Sequence, residues 1–144
     1  MTGGSGEGRG SPAHAFARAV GVAGAASFVG FGVWAMAVPR SFFERVATFE
    51  PYNQHLIQDI GAFQIGLGSV LLLAVGFPGA GPLAVALLGT GIGAAAHVVS
   101  HVVGRDLGGR PEVDIPVFAV VAALLVAAGV FSWPTSPGRI RAPQ

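Results

Sequence analysis

Four long apolar stretches, separated by short polar or proline-rich segments, dominate the chain. Each stretch provides about twenty helical residues, enough to cross a hydrocarbon core of ~30 Å at ~1.5 Å per residue. The pattern predicts transmembrane helices at residues 19–38, 55–77, 83–104 and 115–133. Short connections make successive helices antiparallel. The sequence therefore predicts an all-α integral membrane protein, folded as an antiparallel four-transmembrane-helix bundle.

The segments outside these spans predict two tails and one connector. Residues 1–13 are polar and rich in Gly and Ser, which predicts a disordered tail, and a short C-terminal tail at 135–144 follows the membrane domain at 14–134. The connector after the first span places Phe42 and Phe49 at helical spacing within Ser41–Phe49, which is typical of a short interfacial helix. A loop that packs its Phe residues on the bundle is the alternative.

Composition supports a membrane location. Only 10% of the 144 residues are charged and 52% are hydrophobic, whereas soluble domains carry about 25% charged residues. We therefore expect the lipid bilayer as the environment, and a net charge of +1 offers no basic surface for nucleic acid. The absence of Cys excludes disulfides, thiolate metal ligands and Cys nucleophiles. All eight basic residues are Arg, which with the excess of Gly, Ala and Val indicates a GC-rich bacterial genome.

Two features of the topology leave a choice. The first span could be a signal peptide cleaved after Ala35-Met36-Ala37, but its apolar run is longer than a typical signal sequence and further spans follow. The positive-inside rule does not decide the orientation. Four arginines lie on the side of the termini and four on the other, namely Arg9, Arg18, Arg139 and Arg141 against Arg40, Arg45, Arg105 and Arg110. We expect a multi-pass protein of the cell membrane with both termini in the cytoplasm.

Ionisable residues within spans are candidates for function, because they are costly in a bilayer. His55 and Asp59 lie four residues apart near the start of the second span, and His97 and His101 lie four apart near the end of the third. Residues four apart share a helix face. The Phe77–Pro82 turn makes the two spans antiparallel, so we expect all four side chains at similar depth near one membrane face.

Small residues follow the same helix faces. Gly89 and Gly93 lie on the His97 face of the third span, and Gly66 lies on the Asp59 face of the second. Small residues at such spacing let helix backbones approach closely. We therefore expect these two faces to pack against each other.

Three interpretations of this His/Asp cluster remain open. It could be a structural network in which Asp59 pairs with a His or with Arg105 and fixes the helix register. It could bind a divalent metal such as Zn, Fe or Mn, because imidazole and carboxylate groups are suitable ligands. The ligands would then be His55, Asp59, His97 and His101. It could also bind a small polar ligand or a quinone head group, or relay a proton.

One stretch carries a family resemblance. After an aromatic-rich connector, LIQDIGAFQIGLGSVLLL resembles the small four-helix membrane proteins grouped as DoxX-like, most specifically in Asp59-Ile60-Gly61-Ala62 with Gly66 and Gly68. Members often have Arg where this chain has Gln58. The resemblance implies a four-helix bundle. It implies little about activity, since most members are uncharacterised and some are linked to redox or quinone-associated membrane systems.

The functional expectation is correspondingly general. We expect a small multi-pass membrane protein of unassigned activity with one polar site near a single membrane face. It would act as an accessory or interaction subunit, with a membrane partner protein or in a homo-oligomer. The alternative is a metal-dependent membrane enzyme in which a metal ion held by the His/Asp cluster activates water. A channel or transporter is disfavoured, because polar groups occupy only one half of the bundle depth.

Overall fold

The computed structural model describes residues 11–134. That part of the chain contains five α-helices and no β-strand. The helices are α1 (Pro12–Ala37), α2 (Pro39–Arg45), α3 (Gln54–Gly76), α4 (Ala80–Val103) and α5 (Pro111–Phe131). All except the short α2 are long and apolar enough to cross a membrane. The predicted all-α fold with four membrane-spanning helices is confirmed.

All four long helices begin earlier than the apolar runs indicate, and polar side chains form hydrogen bonds at the extended starts of α1 and α5. The Ser11 hydroxyl accepts a hydrogen bond from the His14 backbone N–H at 3.2 Å, so α1 starts at Pro12 rather than at residue 19. In α5 the Asp114 carboxylate accepts the Arg110 backbone N–H at 2.9 Å, and the helix starts at Pro111. Residues 12 and 13 are therefore helical rather than part of a tail. Residues 1–10 of that predicted tail, and the predicted tail at 135–144, lie outside the described residues.

The connector between α1 and α3 combines features of both interpretations made from the sequence. It forms a short helix, but α2 covers Pro39–Arg45 rather than Ser41–Phe49. Phe42 and Phe43 of α2 are buried and pack in one cluster with Ala35 of α1 and Ile57 of α3. The connector therefore packs against the last turn of α1 and the first turn of α3.

The long helices pack mainly as two pairs, α1 with α3 and α4 with α5. Glycines permit the close approach in both pairs. Gly32 and Gly61 meet between α1 and α3, while Gly91 and Gly129 lie where α4 and α5 meet. Although a short turn joins α3 to α4, these two helices contact each other much less than either pair does.

The two pairs share a core at the end of the bundle that holds the α3–α4 turn. Its largest fully buried side chains are four leucines, Leu71, Leu83, Leu87 and Leu125. The buried residues of α4 all lie between Leu83 and Gly91. The second half of α4, which carries His97 and His101, therefore lies outside this core.

Candidate functional site

The first predicted pair lies on the surface of α3, in its first two turns. Asn53 caps this helix by accepting the Leu56 backbone N–H at 3.1 Å. His55 Nε2 lies 3.4 Å from Asp59 Oδ2, and the two side chains are 85% and 52% exposed. Asp59 does pair with a His, as the structural-network interpretation expected, but with a His of its own helix. The contact therefore does not join two helices, and such an exposed pair contributes little stability.

The second predicted pair forms an aromatic group with a neighbouring helix. The ring centroids of His97 and His101 lie 4.6 Å apart. Phe118 of α5 packs against both rings at 4.8 and 4.9 Å, and Phe49 of the connector packs against His101 at 5.6 Å. Within residues 11–134, neither imidazole takes part in a hydrogen bond or an ion pair. We call these four residues, His97, His101, Phe118 and Phe49, the histidine-phenylalanine group. The group lies at the loop-side end of α4, by which we mean the C-terminal end that leads into the α4–α5 loop.

The loop between α4 and α5 holds Phe49 in place. The Gly109 backbone N–H donates to the Thr48 carbonyl at 3.3 Å, and the Arg110 guanidinium donates to the Arg45 carbonyl at 3.1 Å. Gly109 has a φ of +79°, and a Cβ there would lie 2.8 Å from the Phe49 ring. A glycine is therefore required both by the backbone conformation and by the ring packed on it.

A permanent cation lies at the same end of the bundle. Arg40 donates to Glu44 at 2.7 Å, and its guanidinium lies 4.9 Å from the centroid of the Tyr52 ring. The hydrogen bond that Arg40 donates to Glu44 raises the pKa of Arg40 above its already high ordinary value. Arg40 therefore stays charged throughout the physiological pH range.

The expected packing between the Asp-bearing face of α3 and the His-bearing face of α4 was wrong. A Cβ added at Gly66, Gly89 or Gly93 would meet no atom within 4 Å, so these glycines are not sites of close approach. The glycines that do make backbone contacts lie on other faces. Gly61 packs against α1 and Gly91 against α5, and these tighter interfaces determine how the helices associate.

The structure thus contains two pairs, each within a single helix. Among residues 11–134, no three His, Cys, Asp or Glu side chains are arranged to hold one metal ion. Arg105, which the sequence offered as a partner for Asp59, instead lies 4.0 Å from Asp106, its neighbour in sequence. The metal site of His55, Asp59, His97 and His101 remains a prediction.

Comparison with protein-family models, curated proteins and solved structures finds no match. The resemblance to DoxX-like proteins therefore stays an expectation. Any function must be argued from the side chains of this chain and their surroundings.

Two residues of the site, Phe49 and Phe118, were missed by sequence reasoning. Phe118 could have been found, because it lies about as many residues after the 104–110 loop as His97 lies before it. Antiparallel helices place such positions at similar depth. Phe49 gave no comparable signal, since its place depends on how the connector folds back onto the α4–α5 loop.

Proposed function

We propose that this chain is an accessory subunit of a membrane assembly. It binds a second membrane protein through polar side chains near the membrane face that holds the α4–α5 loop. The exposure of Asp59 carries the proposal. Its carboxylate is half-exposed on α3, and its ionic contact within residues 11–134 is to His55 of the same helix. The helix interfaces of the fold are built from small and apolar residues, so the bundle does not need this charge.

The cost of an ionisable group in a membrane supports the same proposal. Ionisable side chains in spans generally face a bundle interior, an aqueous cavity or a protein partner. Asp59 lies in the second turn of α3, within reach of the interface, and the exposed Phe63 follows it one turn later on the same face. We therefore assign the partner as a helix of another membrane protein that presents basic or hydrogen-bond-donating side chains to Asp59.

Photo-crosslinking in native membranes tests this role. A photoreactive phenylalanine analogue would replace Ala62, which is exposed and one turn from Asp59, and, as a matched control, Leu124, which is exposed on α5. We expect one discrete protein adduct from position 62 and none from position 124. We also expect the adduct to weaken when Asp59→Asn is added, because the partner would lose its charged contact.

The composition of the adduct decides the outcome. A reproducible adduct with one other membrane protein, identified by mass spectrometry and sensitive to Asp59→Asn, supports the accessory role. An adduct of twice the chain mass would show self-association instead. Equal adducts from positions 62 and 124, or none from position 62, would contradict the proposal.

We further propose that the chain resides in the cell membrane with both termini in the cytoplasm. Since the arginines are divided equally between the two sides, labelling must decide the orientation. The chain has no Cys, so Pro78→Cys in the α3–α4 turn and Leu107→Cys in the α4–α5 loop each create a single thiol. An impermeant maleimide should label position 107 in intact cells and position 78 only after permeabilisation. The reverse pattern would place the termini outside.

A metal-dependent membrane enzyme has weaker support than the accessory role. Its predicted ligands lie in two pairs on separate helices, and no observation within residues 11–134 favours catalysis over an accessory role.

A further inference from the structure

His97 and His101 have the spacing and separation of a two-histidine chelate. They are four residues apart on α4, so they lie on one face in successive turns. Their ring centroids are 4.6 Å apart. Two imidazoles that share a tetrahedral ion, with metal–nitrogen bonds of ~2.0–2.1 Å, have centroids about 5 Å apart. The observed separation of the two rings is therefore close to that of a two-histidine metal site.

The ring nitrogens are available for an ion. Neither imidazole is engaged in a hydrogen bond or ion pair within the described part of the chain. The nearby Ser100 hydroxyl donates to the His97 carbonyl at 2.8 Å and so is committed to the backbone. His97 is exposed, and His101 lies close to the end of α4 at Val103. An ion can therefore reach the pair from the membrane surface.

The phenylalanines would prepare the pair for binding. Phe118 packs against both imidazole rings, and Phe49 packs against His101. Such packing restricts the rotamers of the two histidines, which lowers the entropy lost when they bind an ion. A site of two imidazoles favours ions such as Zn²⁺, Ni²⁺ and Cu²⁺ over Mg²⁺ and Ca²⁺, which prefer oxygen ligands.

We propose that His97 and His101 together bind one divalent transition-metal ion at the loop-side end of α4, without Asp59 or His55. Water completes the coordination of the ion. The site differs from the four-residue site predicted from the sequence, because it needs no contact between α3 and α4. It also does not depend on the accessory role proposed above.

Zinc titration of the full chain in detergent tests the chelate. The protein would carry a purification tag without histidine, and calorimetry would measure affinity and stoichiometry. We expect one Zn²⁺ per chain, with no competition from Mg²⁺. His97→Ala or His101→Ala should each weaken binding by roughly a hundredfold, because loss of one imidazole removes the chelate effect.

Two controls separate the chelate from less specific binding. The double variant His101→Ala/Val102→His keeps the number of histidines but moves one off the shared face, so it should bind as weakly as His101→Ala. The variants His55→Ala and Asp59→Asn should bind Zn²⁺ like the wild type. Zinc binding that survives relocation of the histidine, or that is lost with Asp59→Asn, would overturn the two-histidine site.

A measurement on the wild-type protein tests the site without relying on variants that could misfold. Diethyl pyrocarbonate modifies accessible imidazoles, and mass spectrometry locates the products. We expect Zn²⁺ to protect His97 and His101 from modification while His55 stays reactive. Equal modification of His97 with and without Zn²⁺ would also overturn the proposal.

Discussion

Gly32 of α1 and Gly61 of α3 lie directly against each other. A Cβ on Gly32 would come within 2.7 Å of the Gly61 carbonyl oxygen, and a Cβ on Gly61 within 2.8 Å of the Gly32 carbonyl oxygen. Both contacts are with backbone atoms, which cannot rotate away as a side chain can. The distance between α1 and α3 therefore depends on the absence of a side chain at both positions.

Gly61→Ala should destabilise the protein, and Gly66→Ala should not. The first adds a methyl group against backbone, which we expect to cost about 1–3 kcal/mol through overpacking. The second adds it where no atom lies within 4 Å, so the higher helix propensity of Ala makes it neutral or stabilising by up to ~1 kcal/mol. Thermal unfolding in detergent measures both. Equal stability of the two variants would contradict the packing described.

The glycines also show how much of the fold could be predicted from the sequence. Apolar runs located the four spans, because span length follows from bilayer thickness. Glycine spacing predicted that the Gly66 face of α3 packs against the Gly89 and Gly93 face of α4, and this prediction was wrong. Gly89 and Gly93 share one face of α4 and Gly91 lies on another, and of the three only a Cβ on Gly91 would meet a neighbouring helix within 4 Å. That choice depends on where the other helices lie, which a single sequence does not reveal.

In the candidate site, too, contacts within one helix were predicted correctly and contacts between helices were not. The spacing of four residues correctly placed His55 with Asp59 and His97 with His101, because that relation is local to one helix. The expected contact between the two pairs was not local and failed, since it assumed that consecutive helices pack face to face. The rings that surround the histidines come from α5 and the connector. Helical periodicity predicts contacts only within one helix, so it could not predict these.

Gly91→Ala should weaken the α4–α5 pair, with Gly93→Ala as its control. A Cβ on Gly91 would lie 2.8 Å from the Val126 side chain and 3.0 Å from the Val126 backbone nitrogen. We expect a loss of about 1–3 kcal/mol for Gly91→Ala. Unfolding in SDS-containing mixed micelles, followed by circular dichroism, measures it. If Gly93→Ala is the more damaging change, α4 packs through the face first expected from the sequence.

Arg18 stabilises the end of α3 from the neighbouring helix. Its guanidinium donates to the Val75 carbonyl at 2.8 Å, in the last turn of α3, where carbonyl groups lack helical partners. Arg18→Gln removes this charged donor and should cost about 0.5–1 kcal/mol, since positive charge is favourable at a helix C-terminus. Hydrogen exchange should become faster in the last turn of α3. Arg18→Lys should lose less, and no change in exchange for Arg18→Gln would argue against this cap.

Asp114 connects the start of α5 to the histidine-phenylalanine group. Its buried carboxylate accepts the Arg110 backbone N–H at 2.9 Å, and Arg110 in turn donates to the Arg45 carbonyl at 3.1 Å. Asp114→Ala should destabilise the fold by about 1–3 kcal/mol, because the Arg110 backbone N–H loses its hydrogen-bond acceptor at the start of α5. It should also make His101 more reactive toward diethyl pyrocarbonate, since the loop that supports Phe49 is loosened.

Two further variants separate the effect of the Arg110–Asp114 hydrogen bond from that of the charge of Asp114. Asp114→Asn keeps an acceptor oxygen and should lose less stability than Asp114→Ala. Glu112→Ala removes a carboxylate that is exposed in the same first turn of α5, and it should leave the reactivity of His101 unchanged. If Glu112→Ala and Asp114→Ala have equal effects on both measurements, the helix dipole explains them and the Arg110–Asp114 hydrogen bond does not.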